Sequence, residues 1–274
     1  MENIQEIYNG SVRLKFVDSI HGYFVSVREG GEWSSWVRKT GVTTFIGIKD
    51  KSGPLKYWVA NIMHAFLHDI LRERGITTYD LDDAKILHTK RLEQAASSGS
   101  KVHDWIKAYV DGDKPDIPQE DNVLRGINAF LDWEKKNKIK IVASEVPLYS
   151  RAHDYCGTAD AIIKIGTKKF LLDFKTSSGL YNDVLMQTAA YVHAYEEMGL
   201  GTIAGRFAIR LEKRSEEEFK LVMDNKGAVN ARYEPFEALS LDSDQKADFE
   251  AFLAAKRLFE WDKSSAKLLQ AKHG

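Results

Sequence analysis

Lys168-Lys169-Phe170-Leu171-Leu172-Asp173-Phe174-Lys175 decides how the rest of the chain is read. Three apolar residues in a row, Phe170 to Leu172, describe a strand buried on both faces. Side chains alternate along a strand, so Asp173 and Lys175 project to one side at its end. An acidic residue two before a lysine carries little information by itself, because the chain holds six such triplets, at 83–85, 134–136, 173–175, 218–220, 224–226 and 244–246. Only the one at 173–175 closes a strongly apolar run. A strand emerging into solvent would explain it equally well, so its neighbours decide.

Moving outward, Tyr155 to Ile165 and Lys168 to Lys175 alternate with a period of two and are joined through Gly166-Thr167, the pattern of a hairpin. Gly157-Thr158-Ala159-Asp160 lies on its first strand, and Asp160 is expected across from Asp173. Two carboxylates brought together repel unless a cation stands between them, and a hard divalent ion prefers oxygen ligands. Ile141 to Leu148 reads as the preceding strand and offers Glu145 as a third carboxylate. Asn182 to Met198 follows as a helix, in which Gln187 and Tyr191 are four apart and share a face otherwise carrying Val184 and Ala194. Ile203 to Leu211 and Phe219 to Val222 read as two further strands, and Asp242 to Gln270 as a closing helix.

On the N-terminal side, residues 11–40 alternate as a small antiparallel meander, with turns at His21-Gly22 and Gly30-Gly31. Val42 to Gly47 is a short β-branched run. Pro54 opens a helical stretch, Asp80 to Ala96 a second, and residues 101–110 a third, with Ser97-Ser98-Gly99-Ser100 read as a break between them. Pro115 and Pro118 mark a loop before a fourth helix at 120–137. The expected architecture is α/β, a mixed central sheet flanked by helices, in one domain over 1–274. Within it are a β-rich segment (1–48), a helical lobe (50–138), an α/β core (140–224) and a C-terminal helix (240–272).

Composition narrows the function. The 274 residues are 43% hydrophobic and 29% charged, as in ordinary globular proteins, with a formal net charge of −1. That charge excludes a uniformly basic grip on nucleic acid but not a local basic groove beside metal-binding carboxylates. No apolar run reaches the ~18 residues of a membrane span, and the first residues lack the pattern of a signal peptide. The single cysteine, Cys156, excludes a disulfide framework and a four-cysteine metal or iron–sulfur site. These points make a cytoplasmic location the expectation. Phosphate-loop, serine-elbow and dinucleotide fingerprints are missing, so no nucleotide cofactor is expected.

Taken together, Glu145, Gly157-Thr158-Ala159-Asp160, Asp173-Phe174-Lys175-Thr176-Ser177 and Gln187-x-x-x-Tyr191 resemble the PD-(D/E)XK nuclease superfamily, in particular its RecB-like and phage-type exonuclease branch. His103, near the start of a helix after Gly99-Ser100-Lys101-Val102, fits that branch's helix-borne histidine. The matched part spans 99–195. The resemblance implies a restriction-endonuclease-like core and a Mg²⁺- or Mn²⁺-dependent nuclease without an iron–sulfur cluster. It assigns Asp160, Asp173, the Phe174 carbonyl, His103 and Glu145 to the metal, Lys175 to the attacking water, and Gln187 and Tyr191 to positioning. The expected substrate is DNA, as single strands or duplex ends, cut by a stand-alone exonuclease in recombination or repair in a bacterial or phage-infected cell. A recombination or single-strand-binding protein is an expected partner. Arg151, Lys168, Lys169, Arg206, Arg210, Lys213 and Arg214 are candidates for phosphate contacts, and Trp105, Tyr109 and Tyr181 for stacking on bases. Three alternatives stay open: a structure-specific or restriction-type endonuclease, a catalytically silent nucleic-acid-binding accessory protein, and a calcium-stabilised domain, which would leave Lys175 unexplained.

Overall fold

A computed structural model of the chain describes residues 4–225, 228, 230–241 and 244–273. Its centre is a five-stranded sheet built from β6 (Lys140–Ser150), β7 (Tyr155–Ile165), β8 (Lys168–Lys175), β9 (Ile203–Leu211) and β10 (Phe236–Ser240). The order is β10-β9-β8-β7-β6, and only β8 and β9 run parallel. A parallel neighbour needs a crossover, which α5 (Asp183–Glu197) supplies. The sheet is therefore mixed.

Alternation along β8 feeds a core on each face. Leu171 joins the cluster shared with α5, the N-terminal strands and the closing helix α7 (Gln245–His273). Leu172 and Phe174 join the cluster beneath α4 (Asp121–Asn137) and the C-terminal half of α3 (Thr78–Val110). In α4, Val123, Ile127, Phe130 and Trp133 form one buried stripe at helical spacing. The helix α2 (Ser52–Glu73) packs along α3 and buries only Ile62 fully. Among the described residues, no helix is long and apolar enough to cross a membrane.

A second sheet holds β1 (Ile4–Ile7), β2 (Val12–Val17), β3 (Gly22–Glu29) and β4 (Glu32–Trp33), with β5 (Val37–Lys39) also paired to β3. Its end is tied to the central sheet. Cys156 donates its backbone N–H to the Thr40 carbonyl at 3.1 Å, and Gly41 bridges Cys156 in parallel.

Four sequence expectations change. The small residues at 97–100 do not break a helix, because α3 runs unbroken through them. A Cβ on Gly99 would lie 2.8 Å from Thr176 Oγ1, so these residues let α3 approach the end of β8. Val42 to Gly47, the short β-branched run in the β-rich segment 1–48, forms a short helix, α1 (Val42–Ile46). Its buried residues Val42, Phe45 and Ile46 recur at three and four. Phe219 to Val222 belongs to α6 (Glu216–Asn225). Ser215 and Glu218 form reciprocal side-chain-to-backbone bonds of 3.1 and 2.6 Å at its start, so this capping box outweighs the short apolar run. The fifth central strand is β10, an exposed edge that carries too little apolar alternation to be read from sequence. Of the closing helix, Asp242 lies outside the described residues.

Candidate functional site

Two groups of side chains meet where β6, β7 and β8 pass one another. The first is acidic. Ser144 and Val146 pair with Ala161 and Ala159, so Glu145 lies opposite Asp160. Glu145 sits at φ +44°, in the left-handed region, inside a strand. A non-glycine residue there costs on the order of 1–3 kcal/mol and persists where its surroundings impose it, often at functional sites. His103 approaches from α3, its Nδ1 3.8 Å from Asp160 Oδ2. Ligand atoms of His103, Glu145 and Asp160 all lie within 4.8 Å of one another. Burial, and next the negative charge of Asp160, push the Glu145 carboxyl up to about 7.

The second group is built on β8 and α5. The β7–β8 ladder ends at Ala161↔Leu172, and one step further Asp160 accepts a 2.7 Å bond from the Phe174 N–H. Phe174 turns its ring into the α4 core, edge-on to Phe130 and Trp133. Asp173 and Lys175 face α5 instead. Lys175 Nζ lies 2.7 Å from Asp173 Oδ2 and donates to Gln187 Oε1 at 3.1 Å. Gln187 Nε2 donates to the Tyr191 hydroxyl, also at 3.1 Å. Tyr191 has no freedom to move inward, since a Cβ on Gly157 would sit 2.4 Å from its ring.

Asp173 is fully buried, and neither carboxylate oxygen accepts a hydrogen bond; the Lys175 contact has the distance of one but not the geometry. A buried carboxylate is costly unless a cation neutralises it, and for Asp173 the Lys175 ammonium at 2.7 Å does so. Burial raises its pKa to about 6 even though Lys175 pulls the other way. For Lys175, burial opposes the ammonium, but Asp173 and Asp160 outweigh it and the pKa is raised. Asp173 stands outside the group formed by His103, Glu145 and Asp160, being turned toward Lys175. Two carboxylates and an imidazole with ligand atoms within 4.8 Å of one another, beside the buried Asp173–Lys175 ion pair, fit a small divalent cation: oxygen ligands suit Mg²⁺ and Mn²⁺, and the single histidine is compatible with Mn²⁺.

The proposed phosphate contacts divide sharply. Arg206 is buried, donating to the Leu185 carbonyl and pairing with Asp248 at 2.6 Å, so it anchors α5 and α7. Arg210 and Arg214 both bind Glu212. Lys213 caps carbonyl and hydroxyl groups of α3 at Ala95 and Ser98. Lys169 holds the Leu200 carbonyl and the Tyr195 hydroxyl. These five serve the fold, because a cation buried among acceptors is already spent. Lys168 is exposed at the far end of β8, and Arg151 is exposed in the β6–β7 turn. Trp105 stacks on Tyr109 and donates to the Asp116 carbonyl, while Tyr181 is exposed near the Lys175 cleft.

Sequence reasoning missed Tyr23. Its hydroxyl is 2.9 Å from Thr158 Oγ1, two residues before Asp160. It also missed Lys51, which lines the same cleft as Lys175 and Gln187. Neither carries a local signal, because each reaches the site from a remote part of the chain. Against known proteins, the sequence matches no family model and no curated protein.

Proposed function

We propose that this chain is a divalent-metal-dependent nuclease that hydrolyses DNA phosphodiester bonds, with a restriction-endonuclease-like core of the PD-(D/E)XK type. The observation that carries this reading is the group of His103, Glu145 and Asp160, with ligand atoms within 4.8 Å of one another, next to the buried Asp173–Lys175 ion pair. A calcium-stabilised domain has no use for a lysine linked to Gln187 and Tyr191.

His103, Glu145, Asp160 and Asp173 would hold the cation. When bound, it would polarise a phosphate oxygen and lower the pKa of a ligated water. Lys175 keeps its proton under the charge of Asp173 and Asp160 and directs an ammonium into the cleft. There it orients the attacking water and offsets charge on the phosphorane-like transition state. Gln187 fixes the direction of that ammonium, and Tyr191 fixes Gln187.

End-labelled linear DNA and covalently closed circles, each with Mg²⁺, Mn²⁺ or EDTA, test the reading. Metal-dependent loss of linear DNA alone supports an exonuclease of recombination or repair. Cutting of circles supports an endonuclease on the same core. Binding without cleavage of any substrate overturns the enzyme and leaves a silent accessory protein.

A further inference from the structure

We propose that the N-terminal sheet forms the second wall of a groove that holds a single strand of nucleic acid across the site; this rests on the nuclease reading for its place beside Lys175, but not for its own test. Two clefts meet at His21 and Tyr23. One, an open cleft of about 650 Å³, has Glu145 and Asp160 on its floor, α3 on one side and Lys15 and Phe16 of β2 on the other. The second continues past Tyr23 between the N-terminal sheet and α7. It is lined by Arg38, Lys39, Lys263 and Tyr191, and among the described residues no carboxylate lines it. Thr43 lines both this cleft and the one holding Lys175 and Lys51. A path therefore runs from the acidic group through a basic channel to the proposed catalytic lysine.

Charge and shape select the occupant. Lys39 is paired with Asp154 at 2.7 Å. Arg38 and Lys263 are exposed, and among the described residues the Arg38 guanidinium donates to the Ile20 carbonyl alone, at 3.4 Å. On a chain of net charge −1, a channel that leaves Arg38 and Lys263 facing it, with Lys39 offset by Asp154, fits a polyanion. At the junction, Phe16 packs against His21 and Tyr23, with ring centroids 5.0 and 4.7 Å apart. His21 is exposed and held at φ +42°. Aromatic rings beside a basic track are what unpaired bases stack upon. Tyr23 fixes the wall: its hydroxyl meets Thr158, and a Cβ on Gly41 would stand 3.3 Å from its ring. The wall thus stands directly on the strand that carries Asp160.

The test uses the full chain in EDTA, where no cleavage occurs, with a fluorescent 12-nucleotide oligothymidylate read by anisotropy over a salt series. The double variant Arg38→Glu/Lys263→Glu should weaken binding at least tenfold. It should also flatten the salt dependence by about 1.4 in slope, as expected for two lost phosphate contacts on a single strand. A control with the same charge change elsewhere, Lys114→Glu/Lys135→Glu, should lose less than threefold. Circular dichroism keeps folding out of the comparison. Equal losses in the two variants, absence of oligonucleotide binding at low salt, or duplex DNA binding as tightly through the same residues would each overturn the groove. Loss of binding in the groove variant, with a wild-type protein that cuts nothing in Mg²⁺, would uphold the groove and remove the nuclease.

Discussion

Asp173 and Glu145 set the chemistry at the residue scale, since both carboxyls are held above their ordinary values, chiefly by burial. For a raised acid the neutral form favours the native state. Its stabilisation is complete below the unfolded value, 3.8 for Asp173 and 4.5 for Glu145, and is lost as pH rises through about 6 and about 7. The metal-free protein should therefore melt at lower temperature at pH 8 than at pH 5, with on the order of 3 kcal/mol at stake for Glu145. Millimolar Mg²⁺ should recover much of that loss, and Glu145→Gln should shrink both effects. Thermal melts across pH, with and without metal, decide it; a metal-free melting temperature that rises over this window would refute the account. Lys175 belongs to the same scale. Among the described residues its side chain meets Asp173 and Gln187 and no backbone group, so Lys175→Ala should leave secondary structure intact. Cleavage should fall by about 10²–10⁴-fold. Single-turnover rates in Mg²⁺ provide the measurement, and near-normal turnover would remove Lys175 from the mechanism.

Elements meet at glycines here, and the consequences belong to packing. In an exposed helix interior, glycine to alanine gains about 1 kcal/mol. Gly99 should reverse that sign, because the added methyl group meets Thr176 Oγ1 at 2.8 Å and pushes α3 from β8. His103 rides on α3, so Gly99→Ala should weaken metal binding as well as the fold. Thr176→Ala removes the opposing atom, and the double variant should recover stability. A double-mutant cycle by denaturant unfolding and metal titration reads the coupling; simple additivity would sink the explanation. Gly157→Ala has no such remedy, since the obstacle is the Tyr191 ring. It should cost roughly 1–3 kcal/mol, as overpacking does.

Across the whole molecule, a buried ion pair helps fasten the last helix to the central sheet. Arg206 lies on β9 and Asp248 near the start of α7, and the guanidinium is almost wholly buried. Asp248→Ala takes a carboxylate partner from a guanidinium that is buried in the interior. Asp248→Ala should therefore cost about 3 kcal/mol in urea unfolding. It should also loosen α7, whose Phe252 and Phe259 pack on Phe45 of α1. Since Lys263 of α7 lines the basic channel, oligonucleotide binding should weaken in the same variant. A change under 1 kcal/mol would show that α7 is held by its apolar contacts alone.

Much of the central sheet was legible in the residues. Tyr155–Ile165, Lys168–Lys175 and Ile203–Leu211 have the expected bounds, because two-residue alternation and a Gly-Thr turn are local properties. The neighbourhood of Asp160 with Asp173 followed from hairpin geometry, and the shared face of Gln187 and Tyr191 from helical spacing, while the link of that pair to Lys175 was implied by the family resemblance. What only the tertiary structure decided was non-local. Ser97 to Ser100 are helical because α3 must approach Thr176, and the strained Glu145 backbone turns its carboxylate toward Asp160 and His103. Basic residues on β8 and β9 and at 213–214 look alike in sequence; burial consigns Arg206 and Arg210 to the interior and acceptors on α3 hold Lys213, while Arg38 and Lys263, from opposite ends of the chain, share one cleft. Local pattern specifies which face a residue takes on its own element, but which elements meet depends on packing between segments distant in sequence.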